Sequence, residues 1–166
     1  NPILDALSDH KVVSLGALEK TLASGNIRFA QILQACMVLV GKGDLCPAQD
    51  DAVIQKSKKA TERANQFLMN KARGTGDISY LASPVTGGGV MASRFQQLFL
   101  LSRQSGKKTP EEWANDAWGI LKAQGQRIIK DGKPIELEDE NLKELNQQAK
   151  EFASGRLTVL KALQVG

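Results

Sequence analysis

The sequence predicts a mainly α protein, in which a winged-helix-like unit precedes a helical region with at most a few short strands. Apolar residues recur at three- and four-residue spacing through most of the 166 residues. Helix-capping patterns precede several of these stretches, and Gly or Pro clusters separate them. We therefore divide the chain into a winged-helix-like subdomain at 1–48 and a helical region at 49–166. We expect the helical region to carry a glycine-rich loop and the whole to share one core.

Residues 1–48 have the element order of a winged-helix unit. Pro2 suits the first turn of a helix, and Ser14 is an N-cap for a second helix at Leu15–Ala23. Between them, Val12-Val13 reads as a short extended piece. A turn then leads to a third helix at Ile27–Gly41, which Gly43 can end in a left-handed conformation.

Residues 49–166 read as helices interrupted by short connections. The first is a long amphipathic helix at 49–73, whose predicted apolar side is formed by Val53, Ile54, Ala60, Ala64, Phe67 and Leu68. A strand at 78–82, a loop at 83–89 and a helix at 90–101 follow. Thr109-Pro110-Glu111-Glu112 is a capping box that starts the next helix. Asp131-Gly132 ends that helix or turns a hairpin, and two helical segments at 142–152 and 157–163 close the chain.

The charge distribution argues against a nucleic-acid-binding domain. The net charge is +4, and residues 51–110 hold 10 basic and 3 acidic side chains, whereas the flanks are near neutral or acidic. In a winged-helix DNA binder, the helix at Ile27–Gly41 would read the bases and would need polar side chains. Its second half is apolar all round, so we expect it to be buried, with Ile32, Leu33, Cys36 and Leu39 almost fully enclosed.

Gly87-Gly88-Gly89 forms the most suggestive loop, because a backbone without side chains can approach a phosphate closely. The dinucleotide fingerprint needs a third glycine at position 92, which is Ala, and no lysine follows as in a phosphate-binding loop. We therefore expect a tight structural turn from the strand into the helix at Val90. Contact with a small anion or a macromolecule stays open as an alternative. The candidate contact residues are Gly87, Gly88, Gly89 and Arg94.

Other chemistry-bearing residues have structural explanations. His10 lies beside Asp9 and Lys11 with no second catalytic partner, so we expect a solvent-facing loop residue. Cys36 and Cys46 lack the further ligands of a zinc site and indicate a reducing compartment. The acidic run at 136–140 directly precedes a helix and favours its N-terminus. The sequence therefore predicts no catalytic, cofactor-binding or metal-binding residue in this chain.

Several stretches resemble the C-terminal extension of bacterial class I S-adenosylmethionine-dependent methyltransferases, among which are the rickettsial protein-lysine methyltransferases. The strongest is Leu81-Ala82-Ser83-Pro84-Val85-Thr86-Gly87-Gly88-Gly89-Val90, followed by Gln97-Leu98-Phe99-Leu100. The stretches at 39–47, 123–133, 145–152 and 157–163 are similar to the same extension. This resemblance implies a winged-helix-containing, non-catalytic regulatory region.

The resemblance also implies that the S-adenosylmethionine site lies in a separate domain of the parent protein. This chain begins with Asn1 rather than Met, which fits a part of a longer protein. The expected function is regulation or substrate recognition in a protein methyltransferase, and the alternative is a winged-helix transcription regulator with a helical effector or dimerisation domain. The expected partners are the chain's own methyltransferase domain and a protein substrate, with a homodimer as a further option. We expect a cytoplasmic protein without membrane or nucleic-acid contacts.

Overall fold

The computed structural model describes residues 1–166, which form a mainly α protein with two small two-stranded sheets. The chain divides into two compact units, unit 1 at Asn1–Asp51 and unit 2 at Ala52–Gly166. Most of the buried apolar side chains form one cluster in each unit. Each helix is too short or too polar to cross a lipid bilayer.

Unit 1 contains three helices in the predicted order. They are α1 at Pro2–Ala6, α2 at Leu15–Leu22 and α3 at Phe29–Lys42, with a single 3₁₀ turn at Ala23–Gly25. The Ser14 hydroxyl caps α2 by accepting a hydrogen bond from the Ala17 N–H at 3.2 Å, and Gly43 ends α3 with φ +83°. Residues 12–13 pair with no strand. The assignment of this unit as a winged helix stays a prediction.

The third helix is less buried than its apolar sequence suggested. Ile32 and Leu39 are buried as predicted, but Leu33 is exposed and Cys36 is only partly covered. The reason is geometric: the small cluster built by α1 and α2 covers only one side of α3. The prediction of an almost fully enclosed helix is therefore wrong.

Helix α4 at Asp51–Lys71, whose first residue is the last of unit 1, opens unit 2 and agrees with the predicted long helix. Ile54 is buried as predicted, but the rest of the inward side differs from the prediction. Asn65, Met69 and Ala72 are buried and Leu68 is partly buried, whereas Phe67 is 62% exposed. The other exposed members of the predicted apolar side are Val53, Ala60 and Ala64.

The glycine-rich loop connects two strands rather than a strand and a helix. Strand β1 at Tyr80–Ala82 pairs antiparallel with β2 at Gly89–Met91, and Leu81 lies opposite Val90. Helix α5 begins only at Arg94, not at Val90 as predicted, and ends at Gln104. Ser93 and Gln96 explain the later start: the Ser93 N–H donates to the Gln96 side chain at 3.1 Å, and the Ser93 hydroxyl accepts from the Gln96 N–H at 3.4 Å.

The remaining elements follow the predicted capping and turn patterns. Helix α6 at Pro110–Ala123 starts at the Thr109 capping box, and Asp131-Gly132 turns a short hairpin between β3 at Ile129–Lys130 and β4 at Lys133–Pro134. Helix α7 at Glu138–Glu151 has acidic residues in its first turn, as predicted. A π-helical turn at Phe152–Arg156 joins it to α8 at Leu157–Ala162, so the two predicted final helices form one continuous helical segment.

The core of unit 2 is built around Phe152. Its ring lies 5.8 Å from the ring of Phe99 and 6.3 Å from that of Trp113, the latter edge-on. The Trp113 indole N–H donates to the Lys107 carbonyl at 3.1 Å, which satisfies the one polar group of this buried side chain. These contacts join α5, α6 and the π-helical turn in the core of unit 2.

Candidate functional site

The loop between β1 and β2 already uses the N–H groups that an anion would need. The buried Ser83 hydroxyl accepts hydrogen bonds from the Val85 and Thr86 N–H groups, both at 3.2 Å. The Gly87 N–H donates to the Ser83 carbonyl at 3.0 Å, and the Gly88 N–H contacts the Thr86 hydroxyl at 3.4 Å. Four successive donors are therefore occupied within the loop. This arrangement is typical of a structural turn.

The three glycines have different structural requirements. Gly87 has φ +69°, a left-handed conformation that side chains disfavour, whereas neither Gly88 nor Gly89 has a positive φ. A Cβ on Gly89 would lie 3.6 Å from Tyr80 and one on Gly88 would lie 4.0 Å from the Thr86 hydroxyl oxygen, and both are ordinary contacts. Only Gly87 is therefore required by the backbone.

Arg94, which we expected to be available for contact, is engaged inside unit 2. Its Nε donates to the Ala72 carbonyl at 2.8 Å, Nη2 to the Arg73 carbonyl at 3.1 Å and Nη1 to the Gln126 side chain at 2.8 Å. These carbonyls follow the last turn of α4, where a cation interacts favourably with the helix dipole. Partial burial lowers the pKa of Arg94, but the guanidinium stays charged at physiological pH.

Three buried amide side chains hold backbone segments in place around the β1–β2 hairpin and next to the start of α7. Asn65 on α4 pairs with Ala82 through two hydrogen bonds of 2.7 Å, one to its carbonyl and one from its N–H. Gln97 donates to the carbonyls of Ile78 and Ala92 at 2.6 and 2.8 Å. Asn141 similarly bonds the backbone of residues 128, 135 and 137. Sequence reasoning assigned no role to Asn65 or Asn141; their only signal is a polar residue on the inward side of a helix.

A shallow cleft of about 550 Å³ lies along α5 and α6. The Ser102 hydroxyl at its edge donates to Asp116 at 2.5 Å. Serine nucleophiles need a positioned base and a site for the developing negative charge. The chain's one histidine, His10, belongs to unit 1 and is solvent-exposed as predicted. The Ser102–Asp116 pair therefore supports helix packing.

The exposed part of α3 is an apolar stripe. Phe29, Leu33, Met37 and Val40 follow one another at intervals of four, four and three residues, which places them on one side of the helix. Their exposed fractions are 41, 39, 68 and 38%. We call these four residues the α3 apolar face. A contiguous exposed apolar patch of this kind indicates a contact surface.

The outward side of α4 combines apolar and basic side chains. It contains Val53, Ala60, Ala64 and Phe67, flanked by Lys56, Lys59, Arg63 and Lys71. We call this set the α4 outer face. The only acidic residues of the helix, Asp51 and Glu62, lie on a different side, because each residue advances about 100° around the axis. No carboxylate forms an ion pair with any of the four basic side chains.

The chain is similar to an uncharacterized protein of Synechocystis sp.. The two are 32% identical over 164 residues, which are 99% of this chain and 31% of that protein. The chain thus spans about a third of the length of the curated relative it matches. No family model matches the chain, and no solved structure matches it.

Proposed function

We propose that residues 1–166 are a non-catalytic C-terminal regulatory or substrate-recognition module of an S-adenosylmethionine-dependent methyltransferase that acts on protein. The observation that carries the proposal is the structural position of the residues that resemble the methyltransferase extension. Residues 81–90 form the hairpin that Ser83 organises, and Gln97 fastens that hairpin to α5. The strongest resembling segments, 81–90 and 97–100, thus lie in this hairpin and in the helix to which it is fastened.

The length of the Synechocystis relative is consistent with a module of a larger enzyme. About two thirds of that protein lies outside the region similar to this chain. A cofactor-binding domain with a Rossmann-like sheet is commonly 100–200 residues long, so this remainder has room for one. We assign S-adenosylmethionine and the catalytic residues to such a domain of the parent protein.

The α3 apolar face provides a surface for contact with that domain. Its four exposed side chains carry no charge, and permanent interfaces are richer in apolar residues than transient ones. We therefore propose that the parent's methyltransferase domain covers it. A homodimer contact through the same face is the competing arrangement, which the oligomeric state of the parent protein distinguishes.

The contribution of such a module to methyl transfer is positional. The reaction needs the methyl donor and the nucleophile held in line, and a module that fixes a protein substrate supplies part of that alignment. No residue of this chain contacts the cofactor in this proposal. We place the protein in the cytoplasm, because both of its cysteines, Cys36 and Cys46, are free.

The exposure of α3 is the observation that favours the alternative, a winged-helix transcription regulator. A recognition helix must be accessible, and α3 is more accessible than the sequence suggested. However, its most exposed large apolar side chain is Met37, at 68%, and base edges are read mainly by hydrogen-bonding side chains. Salt-dependent binding of the parent protein to duplex DNA would favour the regulator over the methyltransferase module.

The test uses the full-length parent protein and two matched variants on α3. Met37→Glu introduces a charge into the α3 apolar face, whereas Gln34→Glu introduces the same charge at an exposed position that is not one of the four residues of that face. We expect the full-length protein to bind S-adenosylmethionine in calorimetry and to transfer radiolabelled methyl groups to protein. Met37→Glu should lower this transfer by roughly tenfold, and Gln34→Glu should not. Absence of cofactor binding by the full-length protein would contradict the methyltransferase assignment, and equal effects of the two variants would contradict the role of the face.

A further inference from the structure

The α4 outer face has a composition that the packing of unit 2 does not explain. Phe67 is 62% exposed and Val53 is 46% exposed, although the same helix buries Met69 completely on its inward side. Burying these two side chains against another surface would be favourable, because it removes apolar surface from water. The face therefore has the character of a binding surface.

The spacing of its apolar residues fits an α-helix as the occupant. Val53, Ala60, Ala64 and Phe67 are separated by seven, four and three residues, which is the seam pattern of two packed helices. The two alanines lie between the larger side chains, and small residues at a contact allow two helix axes to approach more closely. The 14 steps from Val53 to Phe67 make the seam about 21 Å long.

The charges around the seam specify an acidic occupant. Lys56, Lys59, Arg63 and Lys71 flank it without any carboxylate partner in the chain. A second copy of α4 would place these cations against each other, and juxtaposed like charges are unfavourable. A helix with carboxylates beside its apolar residues would complement both the apolar seam and the basic side chains next to it.

Nucleic acid fits the face less well. The Lys71 ammonium lies over the Phe67 ring, 5.4 Å from its centre, so that ring face is not free for base stacking. Phosphates would also leave Val53 without an apolar contact. Because charged residues are depleted from permanent interfaces, the four cations indicate a partner that binds and leaves.

We propose that the α4 outer face docks an acidic amphipathic helix of the protein substrate. This inference rests on the proposed function for the identity of the partner as a substrate. The α3 apolar face then contacts the parent's own domain, while the α4 outer face selects the protein to be methylated through complementary charge and two apolar anchors, Val53 and Phe67.

The experiment measures binding of a designed probe to the full-length protein. The probe, the acidic peptide, is a helix of about 20 residues with Leu on one face and Glu beside it. The comparison, the basic peptide, has the same sequence with Lys in place of each Glu. We expect the acidic peptide to bind, with an affinity that falls as salt rises. Lys56→Glu combined with Arg63→Glu should weaken this binding roughly tenfold and should create binding of the basic peptide.

The matched control is Lys58→Glu combined with Lys143→Glu. Both lysines are exposed and form no ion pair. Lys58 lies on another side of α4, and Lys143 lies on α7. The control pair changes the net charge by the same amount as Lys56→Glu combined with Arg63→Glu. Equal weakening by this control, tighter binding of duplex DNA than of the acidic peptide, or self-association through α4 would overturn the proposal. These outcomes are independent of the cofactor. A full-length protein that binds no S-adenosylmethionine but binds the acidic peptide as described would refute the methyltransferase function and leave the docking surface standing.

Discussion

The Ser83 hydroxyl donates a hydrogen bond of 2.7 Å to the Leu163 carbonyl, which lies 80 residues further along the chain. The same oxygen accepts from two loop N–H groups, at Val85 and Thr86. One buried side chain thus fixes the glycine-rich hairpin to the end of α8. The hairpin is therefore part of the core architecture of unit 2.

Replacing Ser83 by Ala should destabilise unit 2 by about 1–3 kcal/mol, because three backbone groups lose a partner in a site with little access to water. The measurement is urea unfolding followed by tryptophan fluorescence, since both tryptophans, Trp113 and Trp118, lie in α6. Ser105→Ala is the control: its exposed hydroxyl makes one local hydrogen bond, to the Leu101 carbonyl at 3.1 Å, and should change stability by less than about 0.5 kcal/mol.

Gly87→Ala should destabilise the fold by roughly 1–2 kcal/mol, the cost of placing a Cβ at a left-handed φ. Gly88→Ala should have little effect, because its φ is not positive and a Cβ there would make only an ordinary contact, 4.0 Å from the Thr86 hydroxyl oxygen. Thermal melts of the two variants provide the comparison. If Gly87→Ala kept the wild-type melting temperature while the parent enzyme lost activity, the loop would serve a ligand or partner instead of the fold.

Local sequence signals were sufficient to predict the elements whose structure depends on one short segment. The Thr109 capping box placed the start of α6 correctly, and Asp131-Gly132 turned a hairpin. The start of α5 was misplaced although Ser93 and Gln96 form a similar box, because the preceding glycines gave the stronger turn signal. The pairing of Leu81 with Val90 is what assigns Val90 to a strand.

Long-range hydrogen bonds could not be read from local patterns. The apolar residues of α4 alone predicted that Phe67 faces inward. The inward side is instead set by Asn65, whose amide pairs with the Ala82 backbone 17 residues away. Arg94 was likewise expected to be free, because the sequence does not show that the carbonyls of residues 72 and 73 lie within its reach. Of the four candidate contact residues, Gly87 is required by its left-handed backbone and Arg94 is hydrogen-bonded within unit 2, whereas contact of these residues with a ligand or partner stays a prediction.

Arg94→Lys should destabilise unit 2 by about 1–3 kcal/mol, although it preserves the charge. A lysine ammonium cannot reproduce the planar fork that reaches two carbonyls and the Gln126 side chain at once. Arg63→Lys makes the same change at an exposed position and should be neutral. A difference between the two variants of less than about 0.5 kcal/mol in urea unfolding would show that the network contributes little.

The Glu112 carboxylate should make stability depend on pH. Hydrogen bonds from the Thr109 and Lys108 N–H groups lower the pKa of Glu112 below its ordinary value of 4.5. Because the folded-state pKa is the lower one, the carboxylate stabilises the fold above the unfolded pKa, and this contribution is lost as pH falls through the folded pKa. Glu112→Gln should therefore be less stable than wild type near neutral pH, with the gap closing in urea midpoints measured down to about pH 3. A gap that stayed constant would exclude the charge as its cause.

Comparing variants of Leu39 and Leu33 on α3 distinguishes the packing of unit 1 from its proposed contact surface. Leu39 is 6% exposed, so Leu39→Ala should cost about 2–5 kcal/mol by leaving a cavity. Leu33 is 39% exposed, so Leu33→Ala should cost much less in the isolated chain. Unit 1 contains no tryptophan, so its unfolding is best followed by thiol labelling of the partly covered Cys36, with the exposed Cys46 replaced by Ser. In the full-length protein Leu33→Ala should lower activity more than Leu39→Ala, because Leu33 belongs to the face that we assign to the methyltransferase domain. If Leu33→Ala were as destabilising as Leu39→Ala in the isolated chain, α3 would be enclosed on both sides and the α3 apolar face would not exist as a free surface.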